Sequence, residues 1–129
     1  MYPEPGATHF RLDPQEVADG RGAFLIAMLD GVPVGCGAVR RLDEQSAELK
    51  RMYVAPEARG RGIGRQLVQA LEEEARRLGV VTLVLETGIR QGPAIALYHQ
   101  VGFRDIPPFG EYQVSPTSVC MAKPLEPLD

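Results

Sequence analysis

Between residues 59 and 65 the chain reads Arg-Gly-Arg-Gly-Ile-Gly-Arg, glycines at alternate positions set among arginines. Glycine carries no Cβ, so the backbone amides of such a loop can close on a ligand. The arginines supply planar, permanently charged guanidinium groups that meet phosphate oxygens directly. An apolar repeat begins immediately downstream, and a helix starting here would aim its unpaired first amides and the positive end of its dipole at the loop. Residue types and spacing together make an anion site suited to a pyrophosphate. A glycine turn that only joins a strand to a helix fits the same stretch. Two other phosphate loops fit less well. The pattern G-x-x-x-x-G-K-[ST] fails because Arg65-Gln66 follows Gly64, and G-x-G-x-x-G fails on spacing.

The helix that must position this loop is the clearest element in the chain. Ile63, Leu67, Ala70, Leu71, Ala75 and Leu78 recur at spacings of three and four, with Glu72 to Glu74 and Arg76-Arg77 on the other face. Gly79 supplies the stop, and the spacing predicts a helix over 62–78. Upstream, Ala23–Leu29 is an apolar run of strand length, Asp30-Gly31 is a hairpin turn signal, and Val32–Val39 is the returning strand. The polar connection Arg41–Ser46 leads to a further strand, Ala47–Val54. In that strand Ala47 and Leu49 share one alternation phase while Met52 and Val54 share the other. One extra residue, a β-bulge, produces such a slip, and the resulting bend opens a gap in the sheet.

Val80–Leu85 is almost wholly apolar and reads as a central strand covered on both faces. Gln91–Val101 reads as a second helix with Pro93 in its first turn and Gly102 as its stop. Phe103–Ile106 and Thr117–Ala122 are short strands on either side of a proline-rich loop. Residues 1–22, rich in Pro, Gly and Asp, offer only His9–Leu12 as a short strand and Pro14–Ala18 as a helical turn. The order implies one parallel crossover inside an otherwise antiparallel sheet, an α/β (α+β) fold with helices flanking the sheet.

Bulk properties narrow the class. A chain of 129 residues with 44% hydrophobic content suits one domain, here a short segment over 1–22 and a core over 23–129. Fourteen basic and 17 acidic residues give a net charge of -3, which gives no support to a nucleic-acid binder. Cys36 and Cys120 lack C-x-x-C spacing and read as buried free thiols, with a disulfide or a nucleophile as alternatives. No run approaches the ~18 apolar residues of a membrane span, and the first residues lack the pattern of a signal peptide. A cytoplasmic location is expected, with no membrane partner. No cluster has metal-ligand spacing, so no metal is expected.

Arg59-x-x-Gly62-x-Gly64 resembles the [QR]-x-x-G-x-[GA] motif of the GNAT superfamily of N-acetyltransferases. The likeness extends further: Glu48–Pro56 is similar to the family's fourth strand with its bulge, and Ala96–Phe103 to a later helix and its Gly-Phe exit. It covers roughly residues 23–123 in the family's order. The resemblance implies acetyl-coenzyme A (acetyl-CoA) as co-substrate. Backbone groups of Met52, Tyr53 and Val54 would bind the pantetheine arm like an added strand. Amides of Arg59, Gly60, Arg61, Gly62, Ile63, Gly64 and Arg65 would hold the pyrophosphate. The thioester would lie between the strand ending at Val54 and the one ending at Glu86.

By the same resemblance Tyr98 is the candidate general acid for the departing thiolate, with a core aromatic as the alternative, and the Val54 amide the candidate oxyanion donor. The family varies its base. Glu86 ranks first, because burial at the end of an apolar strand would raise a carboxyl pKa, and Glu48 second; a solvated or ion-paired role suits either. Glu111 and Tyr112 are candidates for the acceptor pocket. His99 projects about 100° around the helix from Tyr98 and reads as a surface residue. His9 lies in the N-terminal segment, and Arg40, Arg41, Lys50 and Arg51 read as solvated or coenzyme-adjacent charges. The expected reaction is acetyl transfer to a primary amine of a small molecule, or of a peptide, by direct attack in a ternary complex. A non-catalytic acyl-CoA sensor and a nucleotide-binding regulator are the alternatives. Family members begin with a strand and one or two helices that wall the acceptor site; if the short segment before residue 23 replaces these, the acceptor pocket is expected to be open or completed by a second subunit, and terminal strand edges allow a homodimer.

Overall fold

The computed structural model of the chain describes residues 8–12 and 21–127. Its backbone is organised by a tight hairpin. Strands β2 (Gly22–Leu29) and β3 (Val32–Arg41) are joined by Asp30 and Gly31 alone, both at positive φ (52° and 79°). That left-handed pair matches the right-handed twist of the strands it joins. β1 (Thr8–Leu12) lies antiparallel to β2 at one edge and contains the expected His9–Leu12 strand. The helical turn expected over Pro14–Ala18 lies outside the described residues.

On the other side of the hairpin, β4 (Ser46–Val54) runs antiparallel to β3 and parallel to β5 (Thr82–Gly88). β7 (Ser118–Pro124) lies antiparallel between β5 and the short β6 (Arg104–Ile106). Among the described residues the sheet order is β1-β2-β3-β4-β5-β7-β6, with β4 and β5 as the parallel pair in a mostly antiparallel mixed sheet. The expected fold class therefore holds.

β5 departs from expectation in extent. It begins two residues later than the apolar run, because the amides of Val81 and Thr82 both turn to the carbonyl of Gln45. It also runs on through Glu86, Thr87 and Gly88, whose partners are Cys120, Val119 and Ser118 of β7. Glu86 is thus inside the strand rather than at its end.

Helix α1 (Ile63–Arg77) follows β4, and α2 (Gly92–Gln100) follows β5. Both agree with the sequence spacing to within one residue at each end. Gly79, at φ 84°, ends α1, and the Arg41 guanidinium reaches the Leu78 carbonyl there, where a cation complements the helix dipole. Leu67, Val68 and Leu71 are fully buried against the sheet face that carries Leu25, Val39, Leu49, Leu83 and Leu85. Truncating any of these large side chains would remove about 2–5 kcal/mol. Glu72 corrects the sequence reading: it lies on the buried side of α1 (5% exposed), where its Oε1 accepts a 2.6 Å bond from Lys123 Nζ. A carboxylate survives that burial because it is paired.

Candidate active site

The site begins with one extra residue in β4. Cys36 faces Tyr53 and Ala38 faces Lys50, so Gly37 alone stands opposite Arg51 and Met52. Arg51 adopts φ 57°, a left-handed conformation unusual outside glycine, and this is the bulge that the alternation phase predicted. Pairing of β4 with β5 ends at Leu49 and Leu85. Beyond that point β4 keeps only β3 as a neighbour and β5 keeps only β7.

The two strands thereby open a cleft of about 980 Å³. Lys50 to Val54 and Glu86 to Gly88 are among the residues lining it, together with the glycine loop, the first turn of α1 and one side of α2. Of the residues assigned to the coenzyme by sequence, Met52, Tyr53, Val54, Arg59, Gly60, Gly62, Ile63, Gly64 and Arg65 line this cleft. Arg61 is exposed and is not among the lining residues.

The loop's glycines serve different ends. Gly60 and Gly62 sit at φ 81° and 78°, and a Cβ on either would meet nothing within 4 Å. Backbone conformation, not crowding, requires glycine there, and the space beside it is open. Gly64 is different: its Cβ would come within 3.1 Å of Leu97 Cδ2, so its absence lets α2 approach the start of α1. Gly62 is the N-cap of α1 and offers no side-chain cap; the first helical bond runs from the Gln66 amide to the Gly62 carbonyl at 3.1 Å. The amides ahead of Gln66 have no acceptor within the helix, so the mouth of the cleft carries a partial positive charge. Arg59 turns inward, its Nε donating to the Val54 carbonyl at 3.0 Å, which ties the loop to the end of β4.

Tyr98 lies in the wall formed by α2, 7% exposed and edge-on to Phe103 with ring centroids 5.8 Å apart. Burial pushes its phenol up to about 12, so the hydroxyl is a proton donor throughout the physiological range. Glu86 is half-buried and also lines the cleft, and its Oε2 accepts a 2.6 Å bond from the Ser118 hydroxyl. Glu48 stands apart. It is buried (7% exposed), accepts a 2.9 Å bond from the Tyr112 hydroxyl, lies 4.0 Å from Lys50 Nζ and does not line the cleft.

Desolvation raises the Tyr112 phenol pKa, helped by the bond to Glu48 and by the charges of Glu48, Glu86 and Glu111. These carboxylates therefore gather on one tyrosine, yet neither Tyr112 nor Glu111 lines the cleft. His99 is exposed and 2.8 Å from Asp105. Cys36 and Cys120 are both free thiols; Cys36 donates to the Arg51 carbonyl at 3.4 Å, and burial raises its pKa against the pull of Arg51. Among the described residues no cluster of His, Cys, Asp or Glu could hold a metal ion, and no helix is long and apolar enough to cross a membrane. Sequence reasoning missed Gln91, Leu97 and Thr87 as lining residues and Ser118 as the partner of Glu86. Only Thr87-Gly88, directly after the apolar run, carried a signal that could have pointed to them.

A bulged strand, an open neighbour and an amide-rich helix start are thus assembled by one stretch of chain, and the sequence profile of the Acetyltransferase (GNAT) family matches residues 2–103. The chain belongs to the GNAT family. It is 46% identical over 123 residues to the IAA acetyltransferase of Azospirillum brasilense, a match covering 94% of this chain and 80% of that relative. A crystal structure of a Klebsiella pneumoniae protein assigned as an acyl-CoA N-acyltransferase superposes with a TM-score of 0.78 at 42% identity, covering 90% of this chain and 77% of that one. A GNAT acetyltransferase from Elizabethkingia anophelis, solved with acetyl-CoA bound, shares the fold at 22% identity and a TM-score of 0.72, covering 95% of this chain and all of the other. The opening between β4 and β5 is therefore a feature of a GNAT acetyltransferase fold.

Proposed function

We propose that this GNAT chain is an N-acetyltransferase that binds acetyl-CoA between β4 and β5 and transfers the acetyl group to a primary amine of a small molecule. The observation that carries this reading is the loss of β4–β5 pairing beyond Leu49 and Leu85, with an anion-ready helix start at the mouth of the opening. The unpaired edge of Met52 to Val54 accepts the pantetheine amides as a neighbouring strand would, and the loop from Arg59 to Arg65 holds the diphosphate. The Elizabethkingia neighbour, solved with acetyl-CoA, supports the fit.

Transfer is by direct attack in a ternary complex. The amine nitrogen bonds to the acetyl carbon as the carbon–sulfur bond breaks. Glu86 takes the proton lost by nitrogen, and Tyr98 gives its proton to the departing sulfur. Solvent then returns the proton from Glu86 to Tyr98, so the enzyme ends as it began. Glu48, buried under Tyr112, is a structural carboxylate in this scheme.

Coenzyme A release measured against a panel of primary amines, and separately against IAA because one relative is named for it, tests the reading. Turnover of at least one acceptor is expected, with Tyr98→Phe lowering kcat by about 10²-fold and leaving the KM for acetyl-CoA nearly unchanged. Tight binding of acetyl-CoA without turnover of any acceptor would instead make the protein an acyl-CoA sensor.

A further inference from the structure

Glu86 has a partner that the scheme above leaves unused. Ser118 opens β7 opposite Gly88, which has no side chain, and on that face the next residue along β5 is Glu86. The Ser118 Oγ lies 2.6 Å from Glu86 Oε2 and 2.9 Å from Ser115 Oγ, and Ser115 Oγ lies 3.5 Å from Thr117 Oγ1. A hydroxyl has one proton to give and two lone pairs with which to accept. Between a carboxylate at 2.6 Å and a neutral hydroxyl at 2.9 Å, the proton goes to the carboxylate, the stronger and nearer acceptor. The Ser118 oxygen then accepts from Ser115. Each bond in such a chain polarises the next, which fixes the direction of the Ser118 proton.

We propose that Ser118 is a positioning residue for acceptor deprotonation: held by Ser115, its hydroxyl engages Glu86 Oε2 so that Oε1 meets the amine in a fixed orientation. The proposal rests on Glu86 being the base. One carboxylate oxygen is occupied by the protein and the other left for the substrate, as general base catalysis requires.

The test compares Ser118→Ala, Ser118→Thr and Glu86→Gln, using the acceptor that turns over. Ser118→Ala is expected to lower kcat/KM for the acceptor about tenfold, the loss expected for one charge-assisted hydrogen bond. The KM for acetyl-CoA should not move. Ser118→Thr, which keeps the hydroxyl, should recover most of the loss. In a Glu86→Gln background, itself down about 10²-fold, Ser118→Ala should cost little more. Should alanine loosen the fold, Ser118→Cys, which keeps the unbranched shape of the side chain with a larger and weakly donating sulfur, carries the same expectation. Glu86→Gln at the wild-type rate would overturn the base assignment. An impaired Glu86→Gln beside a Ser118→Ala with unchanged rate would overturn the positioning role alone. An equal Ser118→Ala loss with and without Glu86 would overturn it too.

Discussion

The two halves of β4 belong to one continuous strand and do opposite things. Ala47, Glu48 and Leu49 are buried and have β3 on one side and β5 on the other. Lys50 to Val54 have β3 alone and face a cleft. What separates the halves is the extra residue at Arg51, which turns the strand's faces over and ends its pairing with β5. An unpaired strand edge in a sheet is normally a liability, because it invites another strand. Here the edge opens onto a space whose far end carries the amides of a helix start, and in the proposed function the guest on that edge is a coenzyme. The difference teaches that a binding site can be made by withholding hydrogen bonds from one strand, without any unusual side chain.

Several substitutions would break that contrast or sharpen it. Leu83→Ala, in the paired part of β5 and fully buried, should have the largest effect, costing about 2–5 kcal/mol of stability in chemical denaturation. The protein that remains folded should still bind acetyl-CoA, because Leu83 does not line the cleft. A large loss of affinity in Leu83→Ala would mean that the closed and open halves are not separable.

Tyr98→Phe should act the other way, on turnover and not on stability near neutral pH. It should also change the alkaline behaviour. The folded phenol is raised to about 12 by burial, above the unfolded value of about 10. Its contribution is therefore fully present below pH ~10 and lost as pH rises through about 12, a fall of ~2–3 kcal/mol. Denaturation midpoints between pH 8 and 12 should show this fall in the wild type, and Tyr98→Phe should show a smaller one, because Tyr112 and Cys36, whose pKa values are also raised, keep their share.

Gly62→Val comes next. Its φ of 78° would place a β-branched residue in the left-handed region at a cost of about 1–2 kcal/mol, and acetyl-CoA affinity by calorimetry should drop about tenfold as the amides are misaimed. The smallest effect belongs to Arg51→Gly. Relief of the left-handed conformation and the extra freedom of an unfolded glycine nearly cancel, so stability should stay within about 0.5 kcal/mol and the bulge should persist.

Much of this was legible in the sequence because its causes are local. The phase slip between Leu49 and Met52 was visible as a pattern, and the bulge lies there. The three-and-four spacing from Ile63 to Leu78 bounded α1, since one apolar stripe must meet the sheet. Asp30-Gly31 announced a two-residue turn because few other pairs tolerate two positive φ angles.

What escaped depends on partners far away along the chain. Periodicity reads Glu72 as a charge for the solvent face, and Lys123 of β7 at 2.6 Å, with Arg76 at 4.0 Å from the other oxygen, makes its burial tolerable. The apolar run stops at Leu85, yet β5 continues because β7 supplies partners for Glu86 to Gly88. The local sequence ranks Glu86 above Glu48 on the burial expected after an apolar run, yet Glu48 is the more buried of the two. One lies past the point where β4 and β5 part and lines the cleft; the other lies before it, beneath Tyr112.

Hydrogen exchange along β4, measured with and without saturating acetyl-CoA, tests the central claim most directly. The account predicts slowed exchange at the amides of Met52 to Val54 and of the loop from Arg59 to Arg65. It predicts no change at Ala47 to Leu49, which β3 and β5 already flank. Exchange unaltered throughout β4, or slowed equally in both halves, would contradict it.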